Sequence, residues 1–311
     1  MQTSKLLTNP FHYTYFFPTL WVVIGFLGLS LLLLLAIKRF DVQALRQSSL
    51  FQRWRVWAMI APIFGLALMC GQLTTLLLIW FLVVQGLREF SHLVGLNAWY
   101  SRLLLVAGVL AAPAALISID AFYSLAPVLL ILATIEPLLL PEKERSIRHF
   151  AFAVLGWGYI ALFLGYMMLI YKYIPGGIGV LLAMGLGVAL SDVGAFTVGK
   201  QFGRHKMAPT LSPNKTWEGV AGNLLGAYFG IGIMSFALPP GLKWWVIALF
   251  PALIALGSIW GDLLESSIKR EFQVKDAGGW LPGFGGLLDR IDSLIMVLPL
   301  AYYFLRVAGK A

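Results

Sequence analysis

Acidic side chains are concentrated toward the C-terminus of a chain that is otherwise strongly apolar. Eight of the 14 Asp and Glu residues fall in the stretch that begins with Asp192 and ends with Asp292. A charge at the centre of a membrane helix costs about 2.5–3.5 kcal/mol, so an ionisable residue there points to function. Asp289 and Asp292 share one face of a helix, and Asp262 ends an apolar run. Carboxylates suit Mg²⁺, so a metal site is one interpretation; ordinary ion pairs with neighbouring basic residues are the other.

A glycine-rich segment joins these carboxylates. Five glycines lie between Gly278 and Gly286, and glycine lets the backbone approach a ligand closely. Asp262, Ser266 and Lys269 follow i, i+4, i+7 spacing, so they share one face of a helix. Carboxylates, basic side chains and glycines in one stretch predict a combined metal and phosphate site.

A second polar stretch, from Ser212 to Gly219, interrupts the apolar sequence upstream. Lys215 can pair with a phosphate as a point charge, and the hydroxyl groups of Ser212 and Thr216 can donate hydrogen bonds. Thr216 to Glu218 lead into a predicted helix, whose N-terminal N–H groups would favour an anion. The alternative is a capped helix start with Lys215 facing water.

The two stretches resemble the signature sequences of the phosphatidate cytidylyltransferases, or CDP-diacylglycerol synthases. The longer match is S-S-I-K-R-x4-K-D-A-G-x2-L-P-G-F-G-G-L-x-D-R-I-D, from Ser266 to Asp292. The second runs from Ser191 to Gly219 and contains S-D-x-G-A and S-P-x-K-T-x-E-G. One position departs from the family, which has histidine where this chain has Phe284. Phenylalanine cannot donate a hydrogen bond to a phosphate, which leaves slower chemistry, another substrate or an inactive paralogue open.

The resemblance implies a metal-dependent enzyme that transfers a cytidylyl group from CTP to phosphatidate, giving CDP-diacylglycerol and pyrophosphate. It implies Mg²⁺, as one ion or two, with Asp262, Asp289 and Asp292 as metal ligands, and a homodimer. These three residues, with Lys269 and Arg290, are predicted to be catalytic. The residues predicted to bind substrate are Asp192, Ser212, Lys215, Thr216, Glu218, Ser266, Arg270, Lys275 and Asp276.

Two other classes of function stay open. One is a related enzyme, either a cytidylyltransferase for another lipid phosphate or a CTP-dependent lipid kinase. A kinase would release CDP, whereas a cytidylyltransferase releases pyrophosphate. The other is a transporter that uses Asp192 and Asp262 as ion relays. The polar loops rich in glycine and lysine disfavour a transporter, which has no evident need for them.

The composition is that of an integral membrane protein. Hydrophobic residues make up 59% of the chain and charged residues 12%, against about 25% charged in soluble domains. A spanning helix needs about 20 apolar residues, and no strands are indicated. We therefore predict an all-α polytopic protein with about 8–10 transmembrane helices. Its candidate segments are 16–37, 55–71, 73–87, 102–119, 122–140, 151–171, 177–198, 219–238, 244–263 and 287–305.

We expect one membrane domain with two regions. Residues 1–172 would supply lipid-facing scaffold helices, and residues 173–311 the catalytic region with signature loops 199–218 and 264–286. No small-residue cleavage site follows the first apolar run, so that run is expected to stay as an anchor.

The basic residues predict the orientation of the chain. With the N-terminus outside, 18 of the 23 Lys and Arg residues fall on the inner side, as the positive-inside rule requires. Both signature loops then face the cytosol, in what we expect to be a bacterial inner membrane. The net charge of +9 reflects this membrane-flank bias, so membrane lipids are the expected partners and nucleic acid is not. A single cysteine, Cys70, permits no intrachain disulfide.

Overall fold

The computed structural model describes residues 6–139, 147–274, 276–280 and 285–309, without the side chains of residues 49 and 136–139. Within these ranges the chain forms α-helices and one short hairpin. The α-helices are α1 Phe16–Ile37, α2 Val42–Arg46, α3 Ser49–Met69, α4 Gln72–Leu93, α5 Ala98–Ile117, α6 Ile119–Leu139, α7 Ile147–Gly156, α8 Phe163–Tyr173, α9 Gly177–Phe202, α10 Trp217–Ile233, α11 Trp244–Glu271 and α12 Leu288–Ala308. A π-helical turn, Trp157–Leu162, joins α7 and α8 into one rod.

The prediction of an all-α polytopic membrane protein is confirmed. Seven helices among the described residues are long and apolar enough to cross a membrane, counting α7, the π turn and α8 as one. Each of the ten predicted segments falls on a helix, although the boundaries differ. The short connection predicted between the second and third segments is a tight turn at Cys70 and Gly71. Gly71 has a φ of +123°, which favours glycine.

Two helices near the site are longer than predicted. α9 ends at Phe202 and α11 at Glu271, because helical geometry continues beyond the last apolar residue into the polar loops. The predicted segment 177–198 would put Asp192 six residues from its helix end, which is wrong. It lies ten residues from that end, about 15 Å at 1.5 Å per residue.

The expectation that the chain has no strands is also wrong. β1 (Lys206–Ala208) and β2 (Ser212–Thr216) form an antiparallel hairpin, with Lys206 opposite Thr216 and Ala208 opposite Ser212. The hairpin lies in a polar loop, where hydropathy along the sequence carries no strand signal. Contacts with two helices hold it in place: the Arg270 side chain of α11 donates to Leu211 O at 3.3 Å, and Trp217 N of α10 donates to His205 O at 3.0 Å.

The centre of the molecule is the α8 rod, and α1 lies at its edge. Every residue from Leu164 to Tyr171 is buried, whereas α1 buries only Phe16 and Thr19. Both helices are apolar, so hydropathy alone does not separate a buried core helix from one that faces lipid. The rod packs against α12 and α4, which brings the N-terminal helices to the site described below.

Helices α9 and α10 make an unusually close pair. Gly222 and Gly226 of α10 face α9, where an added Cβ would overlap the carbonyl groups of Gly194 and Leu190. Small residues let membrane helices approach closely, so that backbone packing stabilises the pair. This close approach places the buried Asn223 next to the candidate active site described below.

Candidate active site

Carboxylates from three helices meet in what we call the deep cluster: Asp192 on α9, Asp262 on α11 and Asp292 on α12. The side chains of Asp262 and Asp292 contact each other, and Asp192 faces the charges of Asp262 and Lys215. Asp292 is 4% exposed. Residues separated by 100 positions in the sequence are thus brought to one place.

Ser258 connects the deep cluster through hydrogen bonds. Its hydroxyl donates to Asp192 Oδ1 at 2.8 Å and lies 3.2 Å from Ser293 Oγ. Asn223 Nδ2 donates to Ser258 Oγ at 3.4 Å. The sequence analysis missed Ser258, Asn223 and Ser293. A usable signal existed, because Ser258 lies one helical turn before Asp262 and Ser293 directly follows Asp292.

Lys215 reaches the deep cluster from the hairpin. Its Nζ lies 2.7 Å from Asp262 Oδ2 and is shielded from solvent. The interpretation in which Lys215 faces water is therefore wrong. The strand ends at Thr216, whose Oγ1 accepts the Gly219 N–H at 3.1 Å as the N-cap of α10. This cap fixes the direction from which the lysine enters the site.

A second polar group, which we call the loop cluster, comprises Glu89, Glu265, Lys269 and Asp289. Lys269 Nζ donates to Glu265 Oε2 at 2.6 Å and to Asp289 Oδ1 at 2.8 Å. The Asp289 carboxylate also accepts the backbone N–H of Ala277, at 3.1 Å to Oδ2. It accepts that of Gly286 at 2.8 Å. Asp289 thus ties the described part of the glycine-rich loop to α11.

Glu89 of α4 completes the loop cluster, and the sequence analysis missed it. This buried carboxylate accepts the N–H groups of Leu287 at 3.0 Å and Leu288 at 2.8 Å. It therefore caps the positive N-terminal end of α12. A Cβ at Gly286 would meet Glu89 Oε2, so the glycine permits this contact. No local pattern marks a capping residue that lies 198 positions from its helix.

The remaining predicted residues lie around the two clusters. Glu218 lies 2.7 Å from His205 Nδ1, and this hydrogen bond lowers the pKa of Glu218 to about 2. Asp276 and Arg290 are exposed, and Ser266 is partly buried on α11. Ser212 begins β2, and Arg270 holds the hairpin. Lys275 and Phe284 lie outside the described residues, so the three alternatives for Phe284 stay open.

The predicted metal ligands are only partly assembled. Among the described residues, no three acidic, His or Cys side chains are grouped so that they could hold a metal ion. Asp289 is engaged by Lys269 and two N–H groups instead, so the three-aspartate site stays a prediction. The adjacent Asp262 and Asp292 do fit Mg²⁺, which needs only one or two carboxylates together with waters and substrate phosphates.

Comparison with known proteins agrees with this architecture. Residues 51–308 match the model of the cytidylyltransferase family. A Staphylococcus haemolyticus protein named phosphatidate cytidylyltransferase is 38% identical over 161 residues, which cover 52% of this chain and 61% of the relative. The protein of that name from Mycobacterium leprae is 37% identical over 160 residues, 51% of each chain. That from Mycobacterium bovis is 42% identical over 128 residues, 41% of each chain.

The chain belongs to the cytidylyltransferase family, because the family model covers most of its length. It is an integral membrane protein, and the relatives compared are bacterial. The chain spans about three fifths of the length of its staphylococcal relative and about half or two fifths of the mycobacterial ones.

Proposed function

We propose that this protein transfers a cytidylyl group from CTP to phosphatidate, releasing pyrophosphate and forming CDP-diacylglycerol. One observation supports this most: three carboxylates and a lysine with a shielded ammonium group meet within a membrane protein of the cytidylyltransferase family. The names of the relatives supply the substrate. In the reaction, a phosphate oxygen of the lipid forms a bond to the α-phosphorus of CTP. The bond between that phosphorus and the oxygen that bridges to the β-phosphate breaks.

The protein's task in such a transfer is to position the substrates and neutralise charge, because the phosphate nucleophile is already anionic at neutral pH. Lys215 would bind a phosphate oxygen of CTP while Asp262 holds its ammonium group in place. Ser258 fixes the orientation of Asp192. Asp289 and Glu89 hold the ends of the glycine-rich loop beside the site, so that backbone N–H groups of the loop can approach phosphate.

Asp262 and Asp292 are the residues that would hold Mg²⁺. When bound, the ion would neutralise phosphate charge and orient the nucleophile and the leaving group. The deep cluster suits a cation, since only Asp262 of its three carboxylates forms an ion pair among the described residues. Lys269, predicted to be catalytic, is instead held between two carboxylates, and we propose that it positions Asp289.

The experiment is an assay of purified protein with CTP, Mg²⁺ and phosphatidate, following both nucleotide and lipid products. Release of pyrophosphate with formation of CDP-diacylglycerol is expected. Release of CDP would show that the protein is a lipid kinase. Turnover of only a different lipid phosphate would change the assigned substrate. Chemical cross-linking in the same preparation tests the predicted homodimer, for which a monomeric band only would be the contrary result.

The orientation of the site can be tested separately. We propose that the hairpin faces the cytosol of a bacterial inner membrane, where CTP is available. Asn214, which is exposed in β2, can be replaced by cysteine in a Cys70→Ser background. A maleimide that cannot cross the membrane should label this cysteine in inverted vesicles and not in intact cells. Labelling in intact cells would contradict the orientation.

A further inference from the structure

An apolar cleft of about 450 Å³ lies between the rod formed by α7, the π turn and α8 and helices α11 and α12. At one side lies Trp260, which is 54% exposed. The residues that line the cleft include Val154, Gly158, Tyr159, Trp260, Leu264 and Met296. All of them lie on helices long and apolar enough to cross a membrane, so we expect the cleft to open toward hydrocarbon.

Tyr159 lines this cleft and carries a buried hydroxyl. The residue is 3% exposed, and its hydroxyl has no hydrogen-bond partner among the described residues. It faces the charges of Asp292, Glu265 and Asp262. A buried tyrosine hydroxyl usually finds a partner, so an unpaired one needs an explanation. Tyr159 also lies on the π-helical turn, a distortion that is frequent at functional sites.

We propose that the cleft binds an acyl chain of the lipid substrate and that the Tyr159 hydroxyl donates a hydrogen bond to the lipid phosphate. This inference rests on the proposed function. The aspartates repel a phosphate, whereas a neutral hydroxyl can donate to it without adding charge. A chain lying along Val154, Leu264 and Met296 stays in apolar surroundings up to the point where the phosphate meets the carboxylates.

Gly158 offers a way to block the cleft. No heavy atom lies within 4 Å of a Cβ added there, so a larger side chain can be accommodated by filling the open space. Gly158 also lines a second apolar cavity, of about 480 Å³, on the other side of the rod. A side chain at this position should narrow the space for an acyl chain while leaving the polar residues in place.

The first test is Gly158→Leu, with Gly25→Leu as the matched control. Gly25 lies on the peripheral α1 and also has no neighbour within 4 Å of an added Cβ. Gly158→Leu should raise KM at least about ten-fold for dioleoyl phosphatidate, with little change for dihexanoyl phosphatidate or CTP. The control should resemble the unmodified protein. Equal KM values for dioleoyl phosphatidate in the two variants would overturn the acyl-chain site.

The second test is Tyr159→Phe, with Tyr302→Phe as the control for loss of a buried tyrosine hydroxyl on α12. Loss of one hydrogen bond to a phosphate should raise KM about ten-fold for both chain lengths, leaving KM for CTP unchanged. An equal rise in KM for CTP, or no rise for either lipid, would overturn the role of Tyr159. Thermal unfolding of each variant shows whether it is folded.

A binding measurement separates this inference from the proposed function. Phosphatidate with a photoactivatable diazirine in its acyl chain should label cleft residues in the unmodified protein, and the label should be lost in Gly158→Leu. This readout needs no turnover. If the unmodified protein is labelled there but makes no CDP-diacylglycerol, the proposed function fails and the acyl-chain site stands. Equal labelling of both proteins would overturn the site itself.

Discussion

The deep cluster and the loop cluster both contain carboxylates, but the surroundings of these carboxylates are opposite in the two clusters. In the loop cluster, Asp289 accepts hydrogen bonds from Lys269 and two backbone N–H groups, and Glu89 accepts two N–H groups of α12 together with Gln85 Nε2. In the deep cluster, Asp292 and Asp262 contact each other, and the hydrogen bond that Asp292 accepts within the described chain is from its neighbour Ser293.

This difference distinguishes structural carboxylates from functional ones. A buried carboxylate surrounded by donors stabilises the native fold, because its removal leaves those donors unpaired. Asp262 and Asp292 are adjacent carboxylates with one ion-pairing lysine between them among the described residues, Lys215 on Asp262, so they repel each other and are complementary to a cation. We therefore propose that the deep cluster carries out catalysis and that the loop cluster holds the glycine-rich loop in place.

The largest effect should come from Asp292→Asn. Removing one of two adjacent carboxylates should lower kcat by about 10²–10³-fold, the range for loss of one key electrostatic group at an active site. The melting temperature should stay unchanged or rise, because repulsion from Asp262 is relieved. Product formation and thermal unfolding check the two parts. Near-normal kcat at saturating Mg²⁺ would remove the deep cluster from catalysis.

Lys215→Met should come next. Loss of a charge-assisted contact of about 1.5–3 kcal/mol predicts that KM for CTP rises about 10- to 100-fold, since 1.4 kcal/mol corresponds to ten-fold. Lys206→Met is the control, because Lys206 lies opposite Thr216 in the same hairpin but is exposed. A comparable rise in KM for CTP in both variants would show that general basic charge in the hairpin matters rather than the ammonium group paired with Asp262.

Glu89→Gln should destabilise the fold with a smaller effect on catalysis. The amide leaves at least one N–H of α12 unpaired, which costs about 1–3 kcal/mol and should lower the melting temperature. The control is Asp120→Asn, because Asp120 is an exposed carboxylate in the first turn of its own helix, α6. If Glu89→Gln abolished turnover without lowering the melting temperature, the loop cluster would be catalytic and the comparison would be wrong.

The smallest effect should come from Glu218→Gln. The His205 hydrogen bond lowers the pKa of Glu218 to about 2. Any stability from this shift is present above the ordinary pKa near 4.5 and is lost only as the pH falls through about 2. Melting temperatures of the unmodified protein and the variant should therefore run parallel between pH 5 and 8. Glu218 is partly exposed, and a rise in KM for CTP in Glu218→Gln would support its predicted role in substrate binding.

Much of the architecture could be predicted from the sequence, because bilayer thickness sets helix length. The apolar segments predicted ten helices, and seven of them are long and apolar enough to span a membrane among the described residues. The motif spacing singled out Asp262, Asp292 and Lys215. The hairpin was not predictable, since its pairing is set by anchors such as Arg270 and Thr216 rather than by an alternating pattern.

The contributions of the N-terminal half could not be predicted at all. Residues 1–172 were expected to form a lipid-facing scaffold, yet Glu89 caps α12 and Tyr159 faces the deep cluster. Each of these contacts joins residues more than 100 positions apart, and no local pattern encodes it. The division into a scaffold and a catalytic region stays a prediction.

The most direct test of the two-cluster account is to measure divalent-cation binding without turnover. Mn²⁺ can be titrated into purified protein and followed by electron paramagnetic resonance, in the unmodified chain and in Asp292→Asn and Asp289→Asn. We predict that Asp292→Asn loses the bound Mn²⁺ whereas Asp289→Asn keeps it and melts at a lower temperature. Loss of Mn²⁺ binding in Asp289→Asn at an unchanged melting temperature, with binding retained in Asp292→Asn, would contradict it.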